Sequence, residues 1–285
     1  MGNCDSCPSK GTCQTKKEDC NGVESSKLQP RFGRIKNVIG VISGKGGVGK
    51  STVTGIMAAM LAKRGYKVGV LDADITGPSM PRVLGINEKR AGIVPINDEV
   101  VRFDPVETDC GIKVISMNLV NPVEEEPLIW RGGIINGVLK QIFVDTNWGE
   151  LDYLLIDMPP GTGDIALTVM QEFPINELVI VSTPQDMVSM IVKKVVIMAN
   201  KIGVKIKGVV ENMAYINCPD CDKKIRVFSN KSSEENAEYL GIPLIGELPI
   251  DINLTDALAQ GKLEEYVKED PLYSFCLLYT SDAAD

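Results

Sequence analysis

Residues 44–51 read Gly-Lys-Gly-Gly-Val-Gly-Lys-Ser, the full spacing of a phosphate-binding loop. Gly44, Gly46, Gly47, Val48 and Gly49 would turn backbone N–H groups toward phosphate oxygens, and the helix opening at Ser51 and Thr52 would face the anion with its positive end. Lys50 would reach the β- and γ-phosphates, and the Ser51 hydroxyl would hold Mg2+. This chemistry is binding and hydrolysis of ATP or GTP. Lys45 is not required by such a loop. A lysine at that outer edge could cross a dimer interface to a partner's nucleotide, so the octapeptide also implies a nucleotide-dependent homodimer.

Carboxylates follow at the expected places. Tyr153-Leu-Leu-Ile-Asp157 is an apolar strand ending in an acid, the setting in which phosphate-loop enzymes hold the shell of Mg2+. Asp72 and Asp74 follow a second apolar strand; Asp74, farther out, is assigned to the attacking water and Asp72 to the metal's waters. Turn-forming aspartates are the plainer reading of that pair. Gly161, Gly163 and Asp164, just beyond Asp157, form a segment able to sense the γ-phosphate.

The chain has 8 Cys and no His. Imidazole catalysis and imidazole metal ligands are therefore excluded, and any metal site must use thiolates or carboxylates. Cys218-Pro-Asp-Cys221 can supply two ligands of a metal or cluster, and a symmetric dimer would supply four. Half of a zinc site and a redox dithiol are the competing readings. Cys4, Cys7, Cys13 and Cys20 place four more thiolates in a polar segment, enough for a second cluster or for zinc.

The elements that must position these groups alternate between strand and helix, the pattern of an α/β fold with a doubly wound, mostly parallel sheet. Strands are expected at 38–43, 67–71, 153–157, 177–182, 207–213 and 242–248, with short strands within 93–103 and 112–117. Helices are expected at 51–64, 133–144, 185–201 and 232–240, the last capped by Ser232 or Ser233. Met187, Met190 and Met198 read as packing on the long helix. Residues 1–30 form a flexible, Cys-rich tail, 31–275 the ATPase domain, and 276–285 (Cys-Leu-Leu-Tyr-Thr-Ser-Asp-Ala-Ala-Asp) read as the translation of a DNA-library adapter replacing a natural ending.

Together, Gly44–Ser51, Asp72–Ser79, Asp157-Met-Pro-Pro-Gly-Thr-Gly-Asp164, Ser182–Gln185, Val210-Glu-Asn-Met213 and Cys218–Cys221 resemble the Mrp/ApbC family of iron–sulfur cluster carriers, within the deviant Walker A ATPases that include MinD and ParA. The resemblance spans about residues 35–270. It implies a MinD-like P-loop NTPase of the SIMIBI class, a homodimer in which Lys45 contacts nucleotide across the interface, and a bridging 4Fe-4S cluster on Cys218 and Cys221. It also implies adenine contact by Asn212, and apo iron–sulfur proteins as clients. Relative to the family's longer members, the fourth N-terminal cysteine, Cys20, stands downstream rather than upstream.

The net charge of −8 offers no global attraction to nucleic acid or anionic lipid, and no apolar run is long enough to span a membrane. Cytoplasmic location with no nucleic-acid or membrane partner is expected. Two other functions remain open: a positioning ATPase of the MinD/ParA type, which leaves the cysteine pair unexplained, and a zinc-stabilised, non-catalytic scaffold, against which the intact Lys50, Ser51, Asp74 and Asp157 argue.

Overall fold

The computed structural model describes residues 27–75, 77–98, 100–121, 132–218, 220–221, 223–270 and 272–273. Its strands are β1 (Phe32–Ser43), β2 (Val68–Asp72), β3 (Gly92–Pro95), β4 (Val101–Asp104), β5 (Val106–Glu107), β6 (Lys113–Ile115), β7 (Asn147–Asp157), β8 (Glu177–Ser182), β9 (Lys205–Glu211), β10 (Ile216–Asn217), β11 (Lys224–Ile225) and β12 (Leu244–Glu247). Its helices are α1 (Lys50–Lys63), α2 (Met80–Val83), α3 (Met117–Val120), α4 (Gly132–Asp145), α5 (Asp164–Glu172), α6 (Asp186–Ile202), α7 (Ser233–Leu240), α8 (Ile252–Ala259) and α9 (Leu263–Glu269).

Eight strands form one sheet in the order β12-β9-β8-β1-β7-β2-β6-β5. Every pairing in it is parallel except the edge pair β5–β6. β1 lies between β7 and β8, so the order reverses beside it, and a crevice opens at the carboxyl ends of the strands at such a reversal. The apolar runs explain the centre of the sheet: β2 is buried along its whole length, and β1 is buried from Val38 to Ser43.

β1 and β7 each begin about six residues earlier than their apolar runs. Residues 32–37 are mostly exposed, yet Phe32 to Ile35 pair with Asn147 to Leu151. The expected 93–103 segment is a separate antiparallel hairpin of β3 and β4. The expected 112–117 strand ends at Ile115, because Ser116 caps α3 by accepting from Asn118 N.

Helix ends follow local chemistry. Gly203 ends α6 in the left-handed region (φ 83°), and Ser232 starts α7 in a reciprocal capping box with Glu235. The described chain is already anchored before residue 31: Leu28 N donates to Glu172 O at 2.8 Å, and Lys27 Nζ donates to Gln171 O. Cys4, Cys7, Cys13, Cys20 and residues 276–285 lie outside the described residues. No helix among the described residues is long and apolar enough to cross a membrane.

The irregular start of the β1–β7 ladder yields a stability prediction. Gly33 has φ +126°, and a Cβ there would collide with the backbone of Gly149. Gly33→Ala should lower unfolding free energy by about 2–4 kcal/mol, measured by urea denaturation, with no change in nucleotide affinity because the phosphate loop lies at the other end of β1.

Candidate functional site

The loop after β1 is built as its glycines require. Gly47 and Gly49 both have φ +80°, a region that residues with a Cβ avoid. A Cβ on Gly49 would strike the Asn212 side-chain amide, and one on Gly44 would lie 2.9 Å from Val192 N. Helix α1 starts at Lys50 with no side-chain cap and no acid in its first turn, so its first N–H groups are left for an anion. Gly46 and Gly47 are exposed, with open space where a Cβ would stand, which leaves the cradle accessible.

The metal-binding candidates converge beneath the loop. Asp72 ends β2 and Asp157 ends β7, and the register makes them direct neighbours. Asp157 is fully buried. Its Oδ2 pairs with Lys50 Nζ at 2.7 Å and accepts from Ser51 Oγ at 2.7 Å, while Oδ1 accepts from Thr54 Oγ1 at 2.8 Å. Asp72 Oδ2 accepts from Ser79 N (3.0 Å), Met80 N (3.1 Å) and Ser116 Oγ (3.1 Å), and Oδ1 from Asp74 N. Burial, and then the adjacent Asp157 carboxylate, push Asp72 up to about 7, against the opposing pull of Lys50 and of these hydrogen bonds. Two carboxylates and the Ser51 hydroxyl form an all-oxygen donor set, and a hard divalent cation such as Mg2+ fits it.

Asp74 is half-buried on the loop that Asp72 folds back on itself. Ser79 Oγ donates to Ser51 Oγ at 2.7 Å, joining that loop to the phosphate loop. Gly161 N donates to Ser43 O at 2.8 Å, so the Pro-Pro-Gly-Thr-Gly segment touches the base of the same loop. Lys45 Nζ lies 3.3 Å from Gln185 Oε1 of its own chain. Asn212 Nδ2 donates to Val48 O at 2.9 Å, and Asn212 N donates to Ser182 O. The residue expected at adenine thus braces the phosphate loop.

Cys218 and Cys221 sit at the tip of a separate hairpin. β10 and β11 pair antiparallel (Ile216 with Ile225, Asn217 with Lys224), and Cys218 N donates to Lys223 O at 3.0 Å. Cys221 is exposed and Cys218 half-buried. Two ladder pairs cannot hold a hairpin alone, and Glu247 at the end of β12 supplies the anchor. Its carboxylate bonds Lys224 Nζ at 3.0 Å, Arg226 Nη2 at 3.2 Å and Ser233 Oγ at 2.6 Å. Burial opposes its ionisation, but Ser233, Lys224 and Arg226 hold the carboxyl below its ordinary range. Lys224 Nζ also lies 3.9 Å above the Tyr215 ring. Among the described residues no group of three or more Cys, Asp or Glu side chains is placed to hold a metal ion, at this hairpin or elsewhere.

Sequence reasoning assigned no role to Thr54, Ser79, Ser116, Gln185 or Glu247. Thr54 had a signal, since it stands four residues after Lys50 on the same helix face. The others act through tertiary contacts that spacing does not reveal. Met190 is exposed and Met198 packs against the core.

This fold and site define a phosphate-loop ATPase of the MinD/ParA kind. The chain belongs to the iron-transfer P-loop NTPase family, the group that includes Mrp and ApbC: residues 34–275 match the ParA model described as NUBPL iron-transfer P-loop NTPase. It is 69% identical over 278 residues to the iron-sulfur cluster carrier protein of Clostridium perfringens, covering 96% of this chain and 98% of that one. The carrier of the same description from Methanocaldococcus jannaschii is 42% identical over 91% of this chain and 88% of its own. Among solved structures, a nucleotide-binding protein of Archaeoglobus fulgidus in complex with ADP superposes with a TM-score of 0.72 at 41% identity, over 86% of this chain and 93% of that one. The cell-division ATPase MinD of Pyrococcus furiosus, at 22% identity and TM-score 0.57 over 84% of this chain and 94% of its own, shares the fold.

Thr54 provides a direct check on the buried carboxylates. Thr54→Val keeps the volume but removes the donor to Asp157 Oδ1, and should cost about 1–3 kcal/mol in denaturant unfolding, whereas Thr54→Ser should retain most of the stability. Equal losses in the two variants would contradict the hydrogen-bond assignment.

Proposed function

We propose that this ATPase carries iron–sulfur clusters. A 4Fe-4S cluster would be held as cargo between the Cys218/Cys221 pairs of two protomers, and its loading and delivery to apo client proteins would be governed by nucleotide binding and slow hydrolysis in the cytoplasm. The observation that carries this reading is the pair itself: an exposed and a half-buried thiol, three positions apart, on an anchored hairpin. A symmetric dimer completes four thiolates without asking more of one chain. Exposed Ile225, Val227 and Phe228 flank the hairpin and give a partner apolar surface to cover.

In the nucleotide site, Gly44 to Thr52 cradle the phosphates and Lys50 transfers its charge from Asp157 to the β/γ oxygens. Ser51, Asp157 and Asp72 are the residues that would hold Mg2+, which when bound neutralises phosphate charge. Asp74 orients the attacking water. Lys45 leaves Gln185 to reach the partner's nucleotide, which ties hydrolysis to the closed dimer. Asn212 keeps Val48 in place and stands at the adenine side. Cys4, Cys7, Cys13 and Cys20 would form a second thiolate site on the tail.

Anaerobic reconstitution of the full chain with iron and sulfide tests the cargo site. Cys218→Ala/Cys221→Ala should lose the cluster bound per dimer at this site and its transfer to an apoprotein, while ATP affinity stays within about twofold of the parent. Normal transfer by that variant would overturn the reading, and zinc uptake with no cluster would replace it with a metal-stabilised dimer.

A further inference from the structure

Met213 is the only non-glycine residue with a positive φ among the described residues, at 56°. A long, unbranched side chain gains nothing from the left-handed region, and such outliers persist where the surroundings over-determine them. Here the surroundings are specific. On the N-terminal side, Asn212 is fixed twice, by its Nδ2 on Val48 O and by its N–H on Ser182 O. On the C-terminal side, Ala214 N donates to Leu248 O at 2.9 Å, and Ile250 N donates to the carbonyl of the buried Tyr215 at 2.7 Å. Cys218 stands five positions beyond Met213. The strained residue is therefore the joint between a side chain that touches the phosphate loop and the strand that leads to the cysteine pair.

Little slack exists on either side. Gly49 and Asn212 are packed so closely that no Cβ fits between them, and the Met213 methyl lies beside the same glycine. Tight packing transmits displacement rather than absorbing it. The other strand of the hairpin is held independently, through Lys224 and Arg226 on Glu247. Glu247 pairs in register with Glu211, the residue before Asn212, and Asn236 Nδ2 of α7 donates to Glu211 Oε1 at 2.7 Å. A shift at Asn212 would thus move one arm of the hairpin against an arm that stays anchored.

We propose that Met213 is a strained joint that couples the phosphate loop to the orientation of Cys218 and Cys221. Nucleotide binding closes the loop that contains Val48, Asn212 follows its acceptor, and Met213 leaves the left-handed region, turning Cys218 relative to Cys221. The nucleotide has a differential effect because it binds the loop directly and favours the state in which the loop is closed. The inference rests on the reading of the two cysteines as cargo ligands.

The full chain, reduced and treated with chelator, is alkylated with N-ethylmaleimide, and labelling of Cys218 and Cys221 is followed peptide by peptide with and without Mg-ATP. In the parent, the labelling rate of at least one of the two should change about fivefold, the lower end of ordinary coupling between sites. Met213→Gly and Met213→Asn, which accept positive φ, should abolish that change, bind a fluorescent ATP analogue as before and melt no lower than the parent. Met213→Leu, which keeps the strain, should retain the change. An unresponsive parent, a responsive Met213→Gly, or a Met213→Leu as unresponsive as the glycine variant would each overturn the joint. Loss of nucleotide binding in both relieved variants would overturn it too, by placing Met213 in the nucleotide site itself. Iron and sulfide uptake, measured separately, tests the cargo reading: a parent that takes up no cluster but shows the labelling change refutes the cargo and leaves the joint standing.

Discussion

Two carboxylates side by side at the end of a buried sheet, with one ammonium between them and the phosphate loop, set the terms for everything else in this molecule. The register that pairs β2 with β7 fixes Asp72 opposite Asp157. Neighbouring strands are about 4.8 Å apart, and like charges at that distance repel by about 3 kcal/mol at an effective dielectric constant near 20. Lys50 answers for one of them. The rest of the balance comes from hydroxyls and amides (Ser51, Thr54, Ser79, Met80 and Ser116) and from a proton that Asp72 holds up to about pH 7. A site so arranged is short of positive charge and rich in hard oxygen donors, which is why a divalent cation with a polyphosphate fits it better than either alone.

The same constraint explains the loops. The Asp72 carboxylate folds the 72–80 segment back by accepting from its own backbone at Asp74, Ser79 and Met80, and this brings Ser79 onto Ser51. The charge on Asp72 and the path of that segment are therefore linked. Gly161 rests on the base of the phosphate loop, its N–H donating to Ser43 O. Both segments thus touch the phosphate loop, a placement that switch elements share.

How much of this the sequence revealed depended on range. Local structure carried by spacing within one segment was legible: the glycine loop at 44–51, the apolar strands ending in Asp72 and Asp157, and the Ser232 cap. Central strands were legible because burial on both faces demands unbroken apolar runs. The outer halves of β1 and β7 were not, since residues 32–37 are largely exposed and carry no such run. Nor was β5, a two-residue edge strand that exists only because β6 pairs with it. Glu247 was invisible for a different reason. Its partners Lys224, Arg226 and Ser233 are 14 to 23 residues away and meet it only once β12 joins the sheet beside β9. The left-handed backbone of Met213 runs against propensity, and only the clamped neighbours on both sides account for it.

Parallel topology also limits how far the nucleotide site and the cysteine hairpin can be from each other. In such a sheet the loops at the carboxyl ends of all strands gather on one edge. The phosphate loop leaves the end of β1 and the hairpin segment leaves the end of β9, with β8 alone between them. Ser182, the last residue of β8, accepts from Asn212 N, and Asn212 reaches across that strand to Val48. One strand width is spanned by a single asparagine side chain. No long relay of side chains separates the phosphate loop from the segment that carries the cysteines: one asparagine, bonded on both sides, joins them.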